Sequence, residues 1–119
     1  MSYVDGFVVP VPKKKRAAYV AMARKACRVW KDHGALDYQE CLADDVSWGK
    51  RTSFPRSVKL KKSEEVWFSW IVYRNRKHRD AVMKKVMKDK RLASMMDIKS
   101  LPFDAKRMIF GGFKVVVEF

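Results

Sequence analysis

Residues 66–74 read VWFSWIVYR. Seven of these nine are β-branched or aromatic, and no glycine or proline interrupts them, so the segment predicts a strand. It is apolar at odd and even positions alike. A strand of that kind sits in the middle of a sheet with both faces covered.

Working outward, the period changes on each side. After it, residues 75–96 place Val82, Met83, Val86 and Met87 at helical spacing, with Asn75 as the N-cap. A turn at LPFDAK (101–106) leads to a last strand, RMIFGGFKVVVEF (107–119). Before the central strand, residues 44–65 are long for a bare connection, and TSFPRSVKL within them reads as an edge strand, with Pro55 suited to an edge. ALDYQECLA (35–43) alternates, with Leu36, Tyr38, Glu40 and Leu42 on one face. Residues 13–33 are helical through Tyr19, Met22, Ala23, Ala26, Val29 and Trp30, with Gly34 just past the helix end. YVDGFVVPV (3–11) is a strand with Tyr3, Asp5, Phe7 and Val9 on one face and Val4, Gly6 and Val8 on the other.

This order predicts a single α+β domain over residues 1–119: a ferredoxin-like split βαβ protomer, with four antiparallel strands in the order 4-1-3-2 and two helices on one face. Two helices cover one face only. The apolar second face predicts a homodimer formed sheet to sheet.

Lys plus Arg number 27 against 13 Asp plus Glu, a net charge of +14. That surface attracts polyanions through its field. Its clusters, KKKR (13–16), KLKK (59–62), RNRKHR (74–79) and KKVMKDKR (84–91), are spread over the chain and read first as solvated surface. The last strand bears on nucleic-acid binding. An RNA-recognition module needs [KR]-G-[FY]-[GA]-[FY]-V-x-[FY] on its third strand. Phe110-Gly111-Gly112-Phe113-Lys114 fits that pattern in no register, and it lies on the fourth. FGGF reads instead as a bulge or close-packing site.

No GxGxxG, Walker loop, GxSxG or HExxH occurs. His33 and His78 with Cys27 and Cys41 lack zinc-ligand spacing, so no metal and no cofactor is expected. Cys27 and Cys41 read first as buried free thiols of a cytoplasmic protein, with a disulfide between them as the alternative, and neither a leader nor an apolar run of membrane-spanning length is expected.

Asp5 and Glu40 are the candidate catalytic pair, acid and base if they face one pocket, and otherwise structural ion-pair partners. Lys106 and Arg107 are candidate ligand-binding cations, or an ion pair with Asp104 within the turn. Trp70 and Phe110, with Trp67, Phe68 and Tyr73, line an aromatic pocket or pack a core and dimer interface. His33 reads as a proton shuttle or a charged helix C-terminus, and His78 as a surface residue.

Taken together, YVDGFVVPVPKK, VWKDHGALDYQEC, TSFPRSVKL, FSWIVYRNRKHRD, VMKDKRLA and PFDAKRMIFGGFKV resemble the YbaA-like bacterial family, a domain of unknown function, in order along nearly the whole chain. One departure is Lys90, where proline is expected after KD. The resemblance implies a dimeric α/β barrel in a superfamily that includes cofactor-independent oxygenases, isomerases and haem-handling enzymes, but no established activity. The function expected is therefore a homodimeric barrel binding a small acidic or aromatic ligand, with cofactor-independent oxygenase or isomerase chemistry as the activity that the resemblance allows. The alternative is non-specific nucleic-acid association.

Overall fold

The structure, a computed structural model, describes residues 1–95 and 97–119. Four strands, β1 (Tyr3–Pro12), β2 (Asp37–Leu42), β3 (Glu64–Tyr73) and β4 (Ile109–Lys114), form one antiparallel sheet in the order β2-β3-β1-β4. This is the split βαβ order expected from the sequence. The VWFSWIVY run is central, paired with β1 on one side and β2 on the other.

Register fixes the two faces. Tyr3, Asp5, Phe7 and Val9 stand opposite Tyr73, Ile71, Ser69 and Trp67 on the inner face, where Tyr38 and Glu40 of β2 join them. Val4, Gly6 and Val8 stand opposite Val72, Trp70 and Phe68 on the outer face.

The inner face carries the helices. α1 (Arg16–Asp32) follows a turn of 3-10 helix at Lys13–Lys15, whose three lysines are exposed, as a solvated first turn would be. His33 caps α1, and Gly34 turns the chain at φ 105°. The second helical stretch is two helices, α3 (Arg76–Met87) and α4 (Lys90–Met95), after a short α2 (Phe54–Ser57). Asn75 caps α3, its side chain accepting from the His78 amide at 2.7 Å. The helix expected over 75–96 breaks at Lys88-Asp89, where Asp89 receives His33 Nε2 at 2.8 Å and Arg91 Nη2 at 2.8 Å. Its last residue, Met96, lies outside the described residues. Val29, Ile71, Tyr73, Val82 and Val86 bury the core at one end, and Val9, Val11, Tyr19 and Trp67 at the other.

TSFPRSVKL is not an edge strand. Ser53 accepts from the Arg56 amide at 3.1 Å and caps α2, with Pro55 in its first turn, where a missing N–H costs nothing. Val58, with Leu60, then packs on Val8 and Val66. The chain itself thus covers part of the outer face that the sequence left to a partner. The rest stays open: Phe68 is 42% and Phe113 64% exposed.

β4 is shorter than the expected 107–119. It pairs with β1 from Val8↔Ile109 to Tyr3↔Lys114 without a bulge, and ends there. FGGF is a close-packing site, filled by side chains from both faces. The Phe113 ring lies beside Gly6 and Gly111 on the outer face, while Tyr3 and the Arg79 guanidinium crowd Gly112 on the inner. No helix among the described residues is long and apolar enough to cross a membrane.

Candidate active site between the helices and the sheet

Neither helix layer fills the inner face, and a cavity of about 430 Å³ remains between them and the sheet. That is within the roughly 300–1,000 Å³ of ordinary small-ligand pockets. α1 contributes Tyr19, Met22, Ala26 and Trp30, all on one helical face. α3 contributes Arg79, Met83 and Met87 at four-residue spacing. The sheet supplies the floor, through Phe7, Ser69 and Ile71. Among the described residues, five methionines line the space: Met22, Met83, Met87, Met95 and Met108. Thioether side chains repack readily around ligands of irregular shape. Phe110, 70% exposed and stacked on Phe7 at 6.0 Å, and Met87, 65% exposed, stand at its open side.

Both candidate carboxylates face this cavity. Glu40 is held by two phenols: Tyr19 donates to Oε1 at 2.8 Å and Tyr38 to Oε2 at 3.0 Å. Burial raises the Glu40 pKa above the usual carboxylate value, and the two phenol hydrogen bonds oppose that rise without cancelling it. The same burial, with the carboxylate alongside, raises both tyrosines, so they remain donors.

Asp5 sits at the other end. Its nearest cation is Arg79, whose Nε lies 3.5 Å from Oδ1. Desolvation raises the Asp5 pKa; Arg79 and the Tyr73 hydroxyl work against the rise. Arg79 Nη2 donates to the Tyr3 hydroxyl at 3.0 Å, and the guanidinium lies over the Tyr3 ring, 5.1 Å from its centroid. Asp5 pairs with Ile71, which pairs with Tyr38, two residues from Glu40. Strand spacing of ~4.8 Å and a rise of ~3.4 Å per residue put the two carboxylate backbones about 12 Å apart. They share a cavity, not a proton.

The remaining candidates lie elsewhere, apart from Phe110. Arg107 donates from Nη1 and Nη2 to Glu64 at 2.9 and 2.5 Å, from Nε to Asp104 at 2.8 Å, and from Nη1 to the Val58 and Lys59 carbonyls. Lys106 is exposed in the same turn. Neither lines the cavity. Trp70 faces the outer side of the sheet, donating to Asp37 Oδ2 at 3.3 Å. His33 pairs with Asp89 rather than with the cavity, and the His78 ring accepts from the Arg74 amide at 3.0 Å. Cys27 and Cys41 are free thiols. Among the described residues, no cluster of three or more His, Cys, Asp or Glu is placed to hold a metal ion.

Sequence reasoning misses Arg79 and the two phenols. Tyr38 is legible, since it shares a strand face with Glu40 at two-residue spacing. Tyr19 and Arg79 reach the site only through the packing of helices on the sheet.

Residues 2–105, which include Asp5, Tyr19, Tyr38, Glu40 and Arg79, match the family described as "Protein of unknown function (DUF1428)". The chain is 49% identical over 118 residues to the uncharacterized protein YbaA of Escherichia coli strain K12, covering 99% of each, and equally to that of Shigella flexneri. Among solved structures, a de novo designed protein, Foldit4, aligns with TM-score 0.49 at 9% identity, covering 97% of this chain and 99% of that one, too distant a likeness to carry an argument. The family match spans most of the chain and the YbaA identity nearly all of it, so this chain belongs to the DUF1428 family, with YbaA among its relatives.

Proposed function

We propose that this protein binds a small, largely apolar molecule between its helices and sheet and performs proton-transfer chemistry on it with Glu40 as the base. One observation carries the reading: a roomy apolar cavity with a carboxylate held by two phenols and no cation against it. A carboxylate in water is a weak base. Burial that raises its pKa brings it toward the working range of a general base. Abstraction of a proton from a carbon acid opens both cofactor-independent isomerisation and cofactor-independent oxygenation, so the reading embraces either outcome. In this reading the unit is a homodimer joined through the open part of the outer face around Phe68 and Phe113, exposed apolar surface of the kind that marks an interface.

The test is saturable binding of the neutral fluorophore N-phenylnaphthylamine. Wild type binds one equivalent, Ala26→Phe fills the cavity and abolishes binding, and outer-face Phe113→Ser leaves it intact. Binding that survives Ala26→Phe refutes the cavity reading. For the base, solvent deuterium should enter the α-carbon of a bound apolar ketone such as tetralone faster with wild type than with Glu40→Gln; equal rates refute that role.

A second reading is favoured by one feature of the surface. The Lys13 amide donates to the Ser63 carbonyl at 2.9 Å, bringing the exposed lysines of 13–15 next to those of 59–62. A polyanion bound there loses affinity linearly on a log–log plot as salt rises. Absence of any polynucleotide retention at about 50 mM salt, where phosphate contacts are strong, rejects this alternative.

A further inference from the structure

Three arginines in this chain grip carboxylates closely. Arg16 meets Glu65 at 2.8 and 2.6 Å, Arg107 meets Glu64 at 2.9 and 2.5 Å, and Arg91 meets Asp89 and Asp32 at 2.7 to 3.0 Å. These are close, forked pairs of the kind guanidinium and carboxylate form when nothing prevents it. Arg79 differs. Its side chain is mostly buried, yet it meets Asp5 and Asp80 only at 3.5 Å, and its one hydrogen bond goes to a neutral phenol. Its Nε is buried without a hydrogen-bond partner. Leaving a buried donor of a charged group unsatisfied is costly. Among the described residues, it is also the only cation lining the cavity.

We propose that Arg79 is the anchor for an anionic group in this cavity, and that its ligand is a largely apolar molecule bearing a single oxyanion, such as a carboxylate, sulfonate or enolate. This rests on the cavity reading above and names the class of molecule the cavity takes. The apolar body follows from the walls, Phe7, Ile71 and the methionines. The single charge follows from Glu40, a carboxylate whose backbone lies about 12 Å from that of Asp5 beside the anchor, and which repels a second anion at the far end. The anchor is held in place: the Tyr3 hydroxyl takes Nη2, and Gly112 leaves the space both groups occupy. Asp5 is the competitor. Its Oδ1 lies 3.5 Å from Arg79 Nε, where it takes part of the charge that a ligand anion would otherwise meet.

Two probes with one skeleton test this: anilinonaphthalene sulfonate, an anion, and N-phenylnaphthylamine, its neutral counterpart. Wild type should bind both, the sulfonate more tightly. Arg79→Met should weaken the sulfonate about 10- to 100-fold, the scale of a charge-assisted hydrogen bond, and leave the neutral probe unchanged. Arg79→Lys, which keeps the charge if Arg79→Met folds poorly, should retain part of the preference. Asp5→Asn should tighten the sulfonate by removing the competing anion. If neither probe binds, or binding survives Ala26→Phe, the cavity reading itself fails and this inference falls with it. If both bind in the cavity but equally, or Arg79→Met and Arg79→Lys weaken both alike, the cavity stands and the anion anchor is overturned. Weaker sulfonate binding in Asp5→Asn would make Arg79–Asp5 a structural pair and overturn it as well.

Discussion

The two glycines of FGGF should respond in opposite ways to the same substitution. In Gly112→Ala the new methyl would overlap the Tyr3 hydroxyl and lie 2.8 Å from Tyr3 Cε2 and 2.7 Å from Arg79 Nη2. Tyr3 is 6% exposed and packed in the core, so its ring cannot swing away freely. Overpacking of this kind costs about 1–3 kcal/mol. Displacing the Arg79–Tyr3 hydrogen bond adds about 1.5–3 kcal/mol, since one partner is charged. Against this, alanine is better than glycine in a strand by about 0.5–1 kcal/mol. The net expectation is a loss of about 1.5–5.5 kcal/mol, a fall in Tm of about 6–22 °C for a domain of this size. In Gly111→Ala the methyl points to the outer face and meets nothing closer than Phe113 Cε1 at 3.6 Å, an ordinary contact. That variant should be neutral or gain up to about 0.5 kcal/mol. Urea unfolding of both, with midpoints and slopes compared, decides the matter. Costs within about 0.5 kcal/mol of each other would mean that the faces of β4 are misassigned, or that the Tyr3–Arg79 contact carries nothing.

Four further outcomes are expected. Arg107→Met should destabilise by about 3–5 kcal/mol, because it strands Glu64, whose side chain is 5% exposed, and should leave fluorophore binding to the surviving native fraction unchanged. Glu64 is held below its usual pKa chiefly by Arg107, so its stabilising contribution is complete above the unfolded value of 4.5 and is lost as pH falls through the lower folded value; acid unfolding of Arg107→Met should lack that step. Glu40 has the opposite sign: its folded pKa is raised, so stability declines as pH climbs from 4.5 through the folded value, and Glu40→Gln should gain on wild type across that interval but not below it in chemical denaturation. Sedimentation equilibrium should give about twice the 14.0 kDa chain mass for wild type and a monomer for Phe113→Lys; a wild-type monomer at micromolar concentration rejects the dimer.

How much of the fold and site is legible in the sequence follows from where each signal resides. The strands and helices declare themselves by period, because every inward residue of an element recurs at a fixed interval. Alternation alone therefore puts Tyr3, Asp5, Phe7 and Val9 on one strand face, and Tyr38 with Glu40 on another. TSFPRSVKL misleads because its alternation runs through only a few residues, while the Ser53 cap and Pro55 spell a helix start. The break at Lys88-Asp89 is hidden because Asp89 acts through His33, 56 residues away. Arg79 is unreadable for a different reason. In RNRKHRD four cations stand in six residues, and nothing local says which one turns inward onto Asp5 and Tyr3.

The carboxylates give the strongest argument that the cavity is more than a packing defect. Glu64 and Glu65 begin β3, and each is gripped by an arginine in a fork that lowers its pKa. Asp5 and Glu40 sit in the same sheet, a few residues away, and have raised pKa values. Scarcity of cations does not explain the difference, for the chain carries 27 lysines and arginines against 13 acids. A lysine at position 19 or 38 would neutralise Glu40 from the helix or strand already beside it. The chain places phenols there instead, which donate hydrogen bonds while leaving the charge uncompensated. Burying a carboxylate without a cation costs stability, and a protein rich in cations has an easy way to avoid that cost. Glu40, which meets only phenols, and Asp5, which meets Arg79 only at 3.5 Å, both face one methionine-lined space, whereas the forked Glu64 and Glu65 do not, and this places the strain where a ligand would meet it.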